Sequence, residues 1–196
     1  MRESACVAMI TTLIVDDHPA IRQGLMAALQ REPGIVPIAA VANTRAALAT
    51  AIERTPRCAL VDFQLGSEDG LDLIRGLRNL EEPPAVVLYS AFAEPALALG
   101  AKAAGASGVV AKGAPLADVI AAIKEAGRGQ SSIALPPPEA VEETISRMPA
   151  DTRPMLEMML NGASAAEVGR ALRISRAETE SRVGSLFSAF HELLWR

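Results

Sequence analysis

Cysteine is scarce in this chain: the 196 residues hold only Cys6 and Cys58, and neither has metal-ligand spacing. A cysteine-held metal centre is thereby excluded. Cys58 sits inside an apolar run and reads as a small core residue of a cytosolic protein, and Cys6 as part of a loose N-terminal arm. Long hydrophobic runs are also missing, and none approaches the length that spans a membrane. The first ten residues, Met1 to Ile10, carry charge and no extended apolar stretch, so they do not read as a secretory signal. An excess of one charge is absent too. A net charge of -4 argues against gripping nucleic acid or a membrane by bulk charge and leaves local patches open. The expectation is a soluble cytoplasmic protein with no membrane partner.

Apolar residues, in contrast, make up 50% of the chain, which is ample for a packed core in one large domain or two small ones. Through residue 128, short apolar runs alternate with helical patterns. Leu13-Ile14-Val15 ends at Asp16-Asp17, and His18-Pro19 opens a helix with Ile21, Leu25, Ala28 and Leu29 at helical spacing. Ile35 to Val41 is a second strand, and Asn43 or Thr44 caps a helix through Ala47, Leu48 and Ile52. Cys58 to Asp62 is the third strand, followed by the turn Glu68-Asp69-Gly70 and a helix marked by Leu71, Ile74 and Leu77. Pro83-Pro84 precedes a fourth strand, Ala85 to Ser90, and an Ala-rich helix over Pro95 to Ala104. Gly108 to Lys112 is the fifth strand, and Leu116, Val119, Ile120 and Ile123 give the next helix an apolar face. Five strand–helix units in alternation imply a parallel sheet with helices on both faces.

In such a sheet Asp16, Asp17, Asp62, Ser90 and Lys112 all fall along the carboxyl edge, where open α/β sheets bind ligands. Each alone has a plainer reading: cap, turn hydroxyl or solvated lysine. Together they suit one chemistry. Three crowded carboxylates repel unless a cation sits between them, and an all-oxygen cluster suits Mg²⁺, which keeps waters and bridges to phosphate. Ser90 can donate to a phosphoryl oxygen while Lys112 offsets the charge developing there. The set is suited to moving a phosphoryl group onto a carboxylate. His18, beside the acidic pair, reads as the start of a helix rather than a ligand, and His191 as a surface or edge residue.

At these residues the chain resembles the receiver domain of two-component response regulators over roughly 10–128. The resemblance implies an α/β fold, a flavodoxin-like doubly wound five-stranded parallel sheet in order 2-1-3-4-5. It implies Asp62 as phosphoacceptor, Asp16 and Asp17 as the acidic pair holding Mg²⁺ with Asp62, Ser90 as the switch hydroxyl and Lys112 as the family's lysine. It further implies a partner histidine kinase as phosphoryl donor, with the receiver catalysing only its own phosphorylation and dephosphorylation. Gln64 and Phe92 occupy positions that in the family influence how quickly phosphate is lost. Gly66 stands where the family commonly has proline, implying a less rigid loop. Val109 stands where the family usually has the Tyr or Phe that turns inward on activation, and Tyr89, next to Ser90, is expected on the opposite face of the sheet.

Gly127 to Pro138 is rich in small polar residues and proline and reads as a linker, 129–138, before a second, all-α domain, 139–196. Helices are expected over Glu139 to Met148, Pro154 to Leu160, Ser164 to Leu172, and from Ser175 onward. The break at Asn161-Gly162 and Ile174-Ser175 give a helix-turn-helix with a core of Leu156, Met159, Val168, Leu172, Ile174, Val183, Leu186 and Phe187. Gly162, Ser164, Glu167, Val168, Leu172, Ile174 and Ser175 match the pattern of LuxR-type (NarL/FixJ-like) output domains. That resemblance implies a transcription regulator, dimeric on activation, with the helix after Ser175 in the major groove of DNA. Arg173, Arg176 and Arg182 are the candidate phosphate contacts, and Ser175, Thr179, Ser181 and Ser185 complete the candidate DNA face. Glu180 replaces the family's lysine there, no lysine follows Lys124, and from Met148 onward six basic residues meet six acidic ones. A degenerate helix-turn-helix acting through protein contacts is therefore the alternative. A free-standing phosphohydrolase would need a substrate pocket over the strand ends, and no lid is evident in the sequence.

Overall fold

The computed structural model describes residues 9–92 and 94–195, so Cys6 and the rest of the N-terminal arm lie outside the described residues. The strand β1 (Ile10–Val15) leads into helix α1 (Pro19–Leu29), where Pro19 supplies the preset first-turn geometry after an extended His18. After β2 (Ile35–Val41), α2 (Thr44–Arg54) is capped by Asn43, whose side chain accepts the Ala46 N–H at 2.9 Å. The strand β3 (Cys58–Asp62) is followed by two short antiparallel strands, β4 (Gln64–Leu65) and β5 (Glu68–Asp69), and then α3 (Gly70–Arg78). The remaining units are β6 (Ala85–Ser90), α4 (Pro95–Ala104), β7 (Gly108–Ala111) and α5 (Leu116–Ala126).

The small hairpin β4–β5 departs from the expected simple turn. Gly66 closes it with φ of 67°, a left-handed conformation that proline cannot adopt. Glycine here makes a tight hairpin.

The five long strands form one parallel sheet in order β2-β1-β3-β6-β7, which is 2-1-3-4-5 by unit. Strand alternation sorts its side chains between two layers. Ala59, Val61, Val86 and Leu88 join the core under α2, α3 and α4, while Cys58, Leu60, Val87 and Tyr89 join the core under α1 and α5. Tyr89 therefore lies on the face opposite Val109, as strand geometry requires. Three aliphatics expected on buried helix faces are exposed: Ile21 (36%), Ile52 (66%) and Leu116 (43%). In α2 the seam is instead Ala47 and Ala51, so Ile52 is rotated by about 100° off it. Ile21 and Leu116 sit in the first turns of α1 and α5, ahead of the buried stripes that begin at Leu25 and Val119.

Four helices complete the chain: α6 (Pro138–Ser146), α7 (Arg153–Leu160), α8 (Ala165–Leu172) and α9 (Arg176–Leu194). A capping box starts α8, with the Ser164 side chain accepting from Glu167 N–H and Glu167 reaching back to Ser164 N–H. Ser175 caps α9 one way, its hydroxyl accepting the Glu178 N–H at 3.2 Å. Leu172 and Ile174, expected in the core, are only half-buried. The Met155, Leu156, Met159, Val183, Leu186, Phe187 and Phe190 side chains share one hydrophobic core with α3 and α4. Gly100 permits this contact on α4, because a Cβ there would meet Leu71 at 3.0 Å and Phe190 at 3.3 Å. Among the described residues no helix is long and apolar enough to cross a membrane.

Complete burial pushes the Cys58 thiol up to about 12 by desolvation. In a Cys6→Ser chain, the remaining thiol is expected to resist iodoacetamide at pH 8 in the native state. It should react fully once the protein is unfolded, a contrast measurable by mass spectrometry.

Candidate functional site

Register brings the polar residues to one edge. Val15 pairs with Val61, Asp62 with Tyr89, and Ser90 with Ala111, so Asp16, Asp62, Ser90 and Lys112 stand at the carboxyl ends of adjacent strands. Main-chain bonds extend the sheet past its formal ends and fix these positions: Asp16 N–H to Val41 O, Phe63 N–H to Tyr89 O, and Lys112 N–H to Ser90 O. Asp16 is 1% exposed, Asp62 2% and Ser90 0%. The Lys112 ammonium reaches between the two carboxylates, donating to Asp16 Oδ2 at 2.9 Å and to Asp62 Oδ2 at 2.6 Å. Asp62 Oδ1 accepts the Gln64 N–H at 3.2 Å, and Ser90 Oγ accepts the Phe92 N–H at 3.0 Å. A Cβ at residue 70 would stand 2.4 Å from the Asp62 carbonyl oxygen, so α3 can start this close to β3 only with glycine there.

Burial raises the Asp62 pKa above the ordinary carboxylate value, with Lys112 pulling it back only in part. Burial disfavours the Lys112 ammonium, but its bonds to Asp62 and Asp16 outweigh that and leave its pKa raised. Asp16, Asp17, His18 and Asp62 each offer a ligand atom, all within 4.8 Å of one another. Asp17 Oδ1 is closed off from solvent and accepts no hydrogen bond, although His18 Nδ1 lies 2.6 Å away. A solvent-excluded carboxylate oxygen whose close partner is an imidazole nitrogen, set among hard oxygen donors, fits a divalent ion such as Mg²⁺. His18 is exposed, stands at the N-cap of α1 and turns its backbone N–H to Asp16 Oδ1 at 2.8 Å, in keeping with a helix start.

One constellation carries no signal in the sequence. Phe63, directly after Asp62, packs edge-on against Phe92 and also against Trp195, which follows α9. Nothing in spacing or periodicity announces a contact across 132 residues of chain.

The candidate DNA residues are not brought together as a basic face. Arg176 pairs with Glu180 at 2.8 Å and Arg182 with Glu178 at 2.7 Å, each one turn along α9. Arg173 is exposed at the C-cap of α8 with φ of 54°, and Ser175 uses its hydroxyl as a cap. Ser181 and Ser185 are exposed, the latter donating back to Ser181 O at 3.2 Å. Thr179 corrects the sequence expectation: it is 5% exposed, donates to Ser175 O at 2.9 Å, and packs where Gly169 lets α8 and α9 approach, so it is unavailable to DNA. Glu180 shares a cleft of about 560 Å³ with Arg75, Arg78 and Lys102 of α3 and α4. Glu180 thus lines one cleft with three cationic side chains of α3 and α4, while its carboxylate pairs with Arg176.

Residues 12–124 match the family model described as the response regulator receiver domain. The probable transcriptional regulatory protein NarL of Mycobacterium tuberculosis (strain ATCC 25618 / H37Rv) is 28% identical over 125 residues, covering 64% of this chain and 58% of that protein. The chain therefore spans little more than half the length of that curated relative. The transcriptional regulatory protein UhpA of Salmonella typhimurium is 29% identical over 170 residues, 85% of this chain and 84% of its own. Among solved structures, a two-component response regulator of the LuxR family from Aurantimonas sp. SI85-9A1 superposes with a TM-score of 0.60 at 28% identity, covering 69% of this chain and 94% of the other.

Deleting Lys112 leaves two buried carboxylates facing each other. Lys112→Ala is expected to lower stability by about 3 kcal/mol in urea denaturation without divalent cations, with much of the loss restored by Mg²⁺. An unchanged midpoint without Mg²⁺ would contradict the charge balance described.

Proposed function

The chain belongs to the response regulator receiver family, and on that premise we propose that it accepts a phosphoryl group on Asp62 from a histidine kinase and regulates transcription through its C-terminal helices. The observation that carries this reading is the Lys112 ammonium held between the Asp16 and Asp62 carboxylates, with Ser90 at the next strand end. In the proposed transfer, an Asp62 carboxylate oxygen attacks phosphorus in line, the bond from phosphorus to the donor imidazole nitrogen breaks, and the leaving imidazole takes a proton from solvent. Ser90 donates its hydroxyl to a phosphoryl oxygen, and Lys112 exchanges part of its contact with Asp62 for the incoming charge. Asp16, Asp17 and Asp62 would hold Mg²⁺, which when bound supplies charge neutralisation on the phosphoryl oxygens. The protein acts on no other substrate in this reading.

The proposal divides the chain into a receiver, 10–128, a linker, 129–138, and an output unit, 139–196, working in the cytoplasm. In the docked arrangement the first turns of α9 line the cleft against α3 and α4. Phosphorylation is proposed to release α9, promote pairing of receivers, and let Arg173, Arg176, Arg182, Ser175, Ser181 and Ser185 approach DNA. The similarity to UhpA, a transcriptional regulator matched along most of both chains, supports this output. The ion pairs within α9 must then reopen toward phosphate.

Incubation with acetyl phosphate and Mg²⁺ is expected to label wild type and leave Asp62→Asn unlabelled; label retained by the variant would mean another acceptor. The phosphorylated protein is expected to bind duplex DNA with an affinity that falls steeply with salt, and Arg173→Ala should weaken binding evenly across sequences. No binding at low salt would remove the DNA reading and leave output through protein contacts.

A further inference from the structure

The last turn of α9 grips the loop that carries Asp62 at two points. Phe63 is wholly buried, and its ring meets Phe92 with centroids 5.9 Å apart at 82° and Trp195 with centroids 6.0 Å apart at 40°. Phe92 belongs to the other reactive loop, since its N–H bonds Ser90 Oγ. One aromatic cluster therefore ties the loop after β3 to the loop after β6, and its third ring comes from the output unit. The second point lies one turn back along α9. His191 stacks on Trp195 with centroids 5.1 Å apart, and its Nδ1 lies 3.3 Å from Asp69 Oδ2. Asp69 pairs across the β4–β5 hairpin with Gln64, the residue whose N–H holds Asp62 Oδ1.

We propose that Trp195, supported by His191, is a positioning residue for phosphoryl transfer at Asp62: its docking on Phe63 holds the acceptor loop in the resting geometry, and docking and phosphorylation oppose each other. The proposal rests on the reading of Asp62 as phosphoacceptor. Drawing Ser90 toward a phosphoryl oxygen pulls its Oγ away from the Phe92 N–H and carries the Phe92 ring out of its edge-on seat on Phe63. Phe63 then loses the ring that braces it, and with it the fixed seat on which Trp195 rests. This path bypasses β7, where Val109 offers no aromatic ring to move, and Tyr89 sits on the other side of the sheet. It takes the signal from the acceptor straight to α9.

Trp195 is the sole tryptophan, so the full chain reports on itself. Adding beryllofluoride with Mg²⁺ is expected to shift its fluorescence emission saturably, with no shift in Asp62→Asn. By reciprocity, Trp195→Ala should bind beryllofluoride about fivefold or more tightly than wild type by calorimetry, while Trp195→Phe, which keeps a ring on Phe63, stays near wild type. Covalent labelling of Asp62 by acetyl phosphate is followed separately by mass spectrometry. Labelling accompanied by unchanged Trp195 emission and unchanged affinity in Trp195→Ala would overturn the inference and leave the acceptor reading intact. Failure to label Asp62 in wild type would overturn that reading and the inference with it.

Discussion

Two buried carboxylates at neighbouring strand ends can coexist only with a cation between them, and the Lys112 ammonium fills that place. Much of the receiver's architecture serves this contact. Parallel pairing brings residues 46 and 50 positions apart in sequence, Asp16 and Asp62, then Asp62 and Lys112, to one edge. The sheet's main-chain bonds run one residue beyond the regular strands, so each reactive side chain leaves from a fixed backbone. Glycine at residue 70 lets α3 begin against β3 without displacing it. The strand-end residues are held by main-chain hydrogen bonds of the sheet, and the loops beyond them by the packing of Phe63 against Phe92 and Trp195.

The second constraint is the shared core. In an open α/β layer, the outer surface of α4 would face water, and its Leu97, Leu99 and Ala-rich composition is more apolar than such a surface needs. Here α6, α7 and α9 cover it, and Gly100 admits Phe190 to close range. The apolar character of α4 is thereby explained by what sits on it. The basic residues at the margin of the same surface, Arg75, Arg78 and Lys102, meet the C-terminal helices across a cleft that includes Glu180. Arg75 also lies 4.6 Å over the Phe187 ring, so charge and packing act together at this junction.

The sheet was legible because buried parallel strands are short apolar runs, and all five appear within a few residues of where composition puts them. The site was legible for the same reason: Asp16, Asp62, Ser90 and Lys112 are simply the polar residues on which those runs end. Helix faces were read less well. Ile52 looks like a core residue by size, yet a seam of alanines brings α2 close to the sheet and leaves the larger side chain outside. Thr179 looks like a polar reader of DNA, yet its place opposite Gly169 buries it. The aromatic cluster of Phe63, Phe92 and Trp195 was invisible, because it is made by docking two units and no local pattern encodes that.

Helix α9 runs unbroken from Arg176 to Leu194, about 28 Å at the usual rise per residue. Its first turns carry the arginines and serines, and its last turn abuts the hairpin beyond Asp62. Under the proposed exchange, a tilt of a few degrees at the tryptophan end would become a displacement of about an ångström or more at the arginine end, and the helix would act as a lever whose short throw is set by ring-on-ring contact and whose long arm does the reporting.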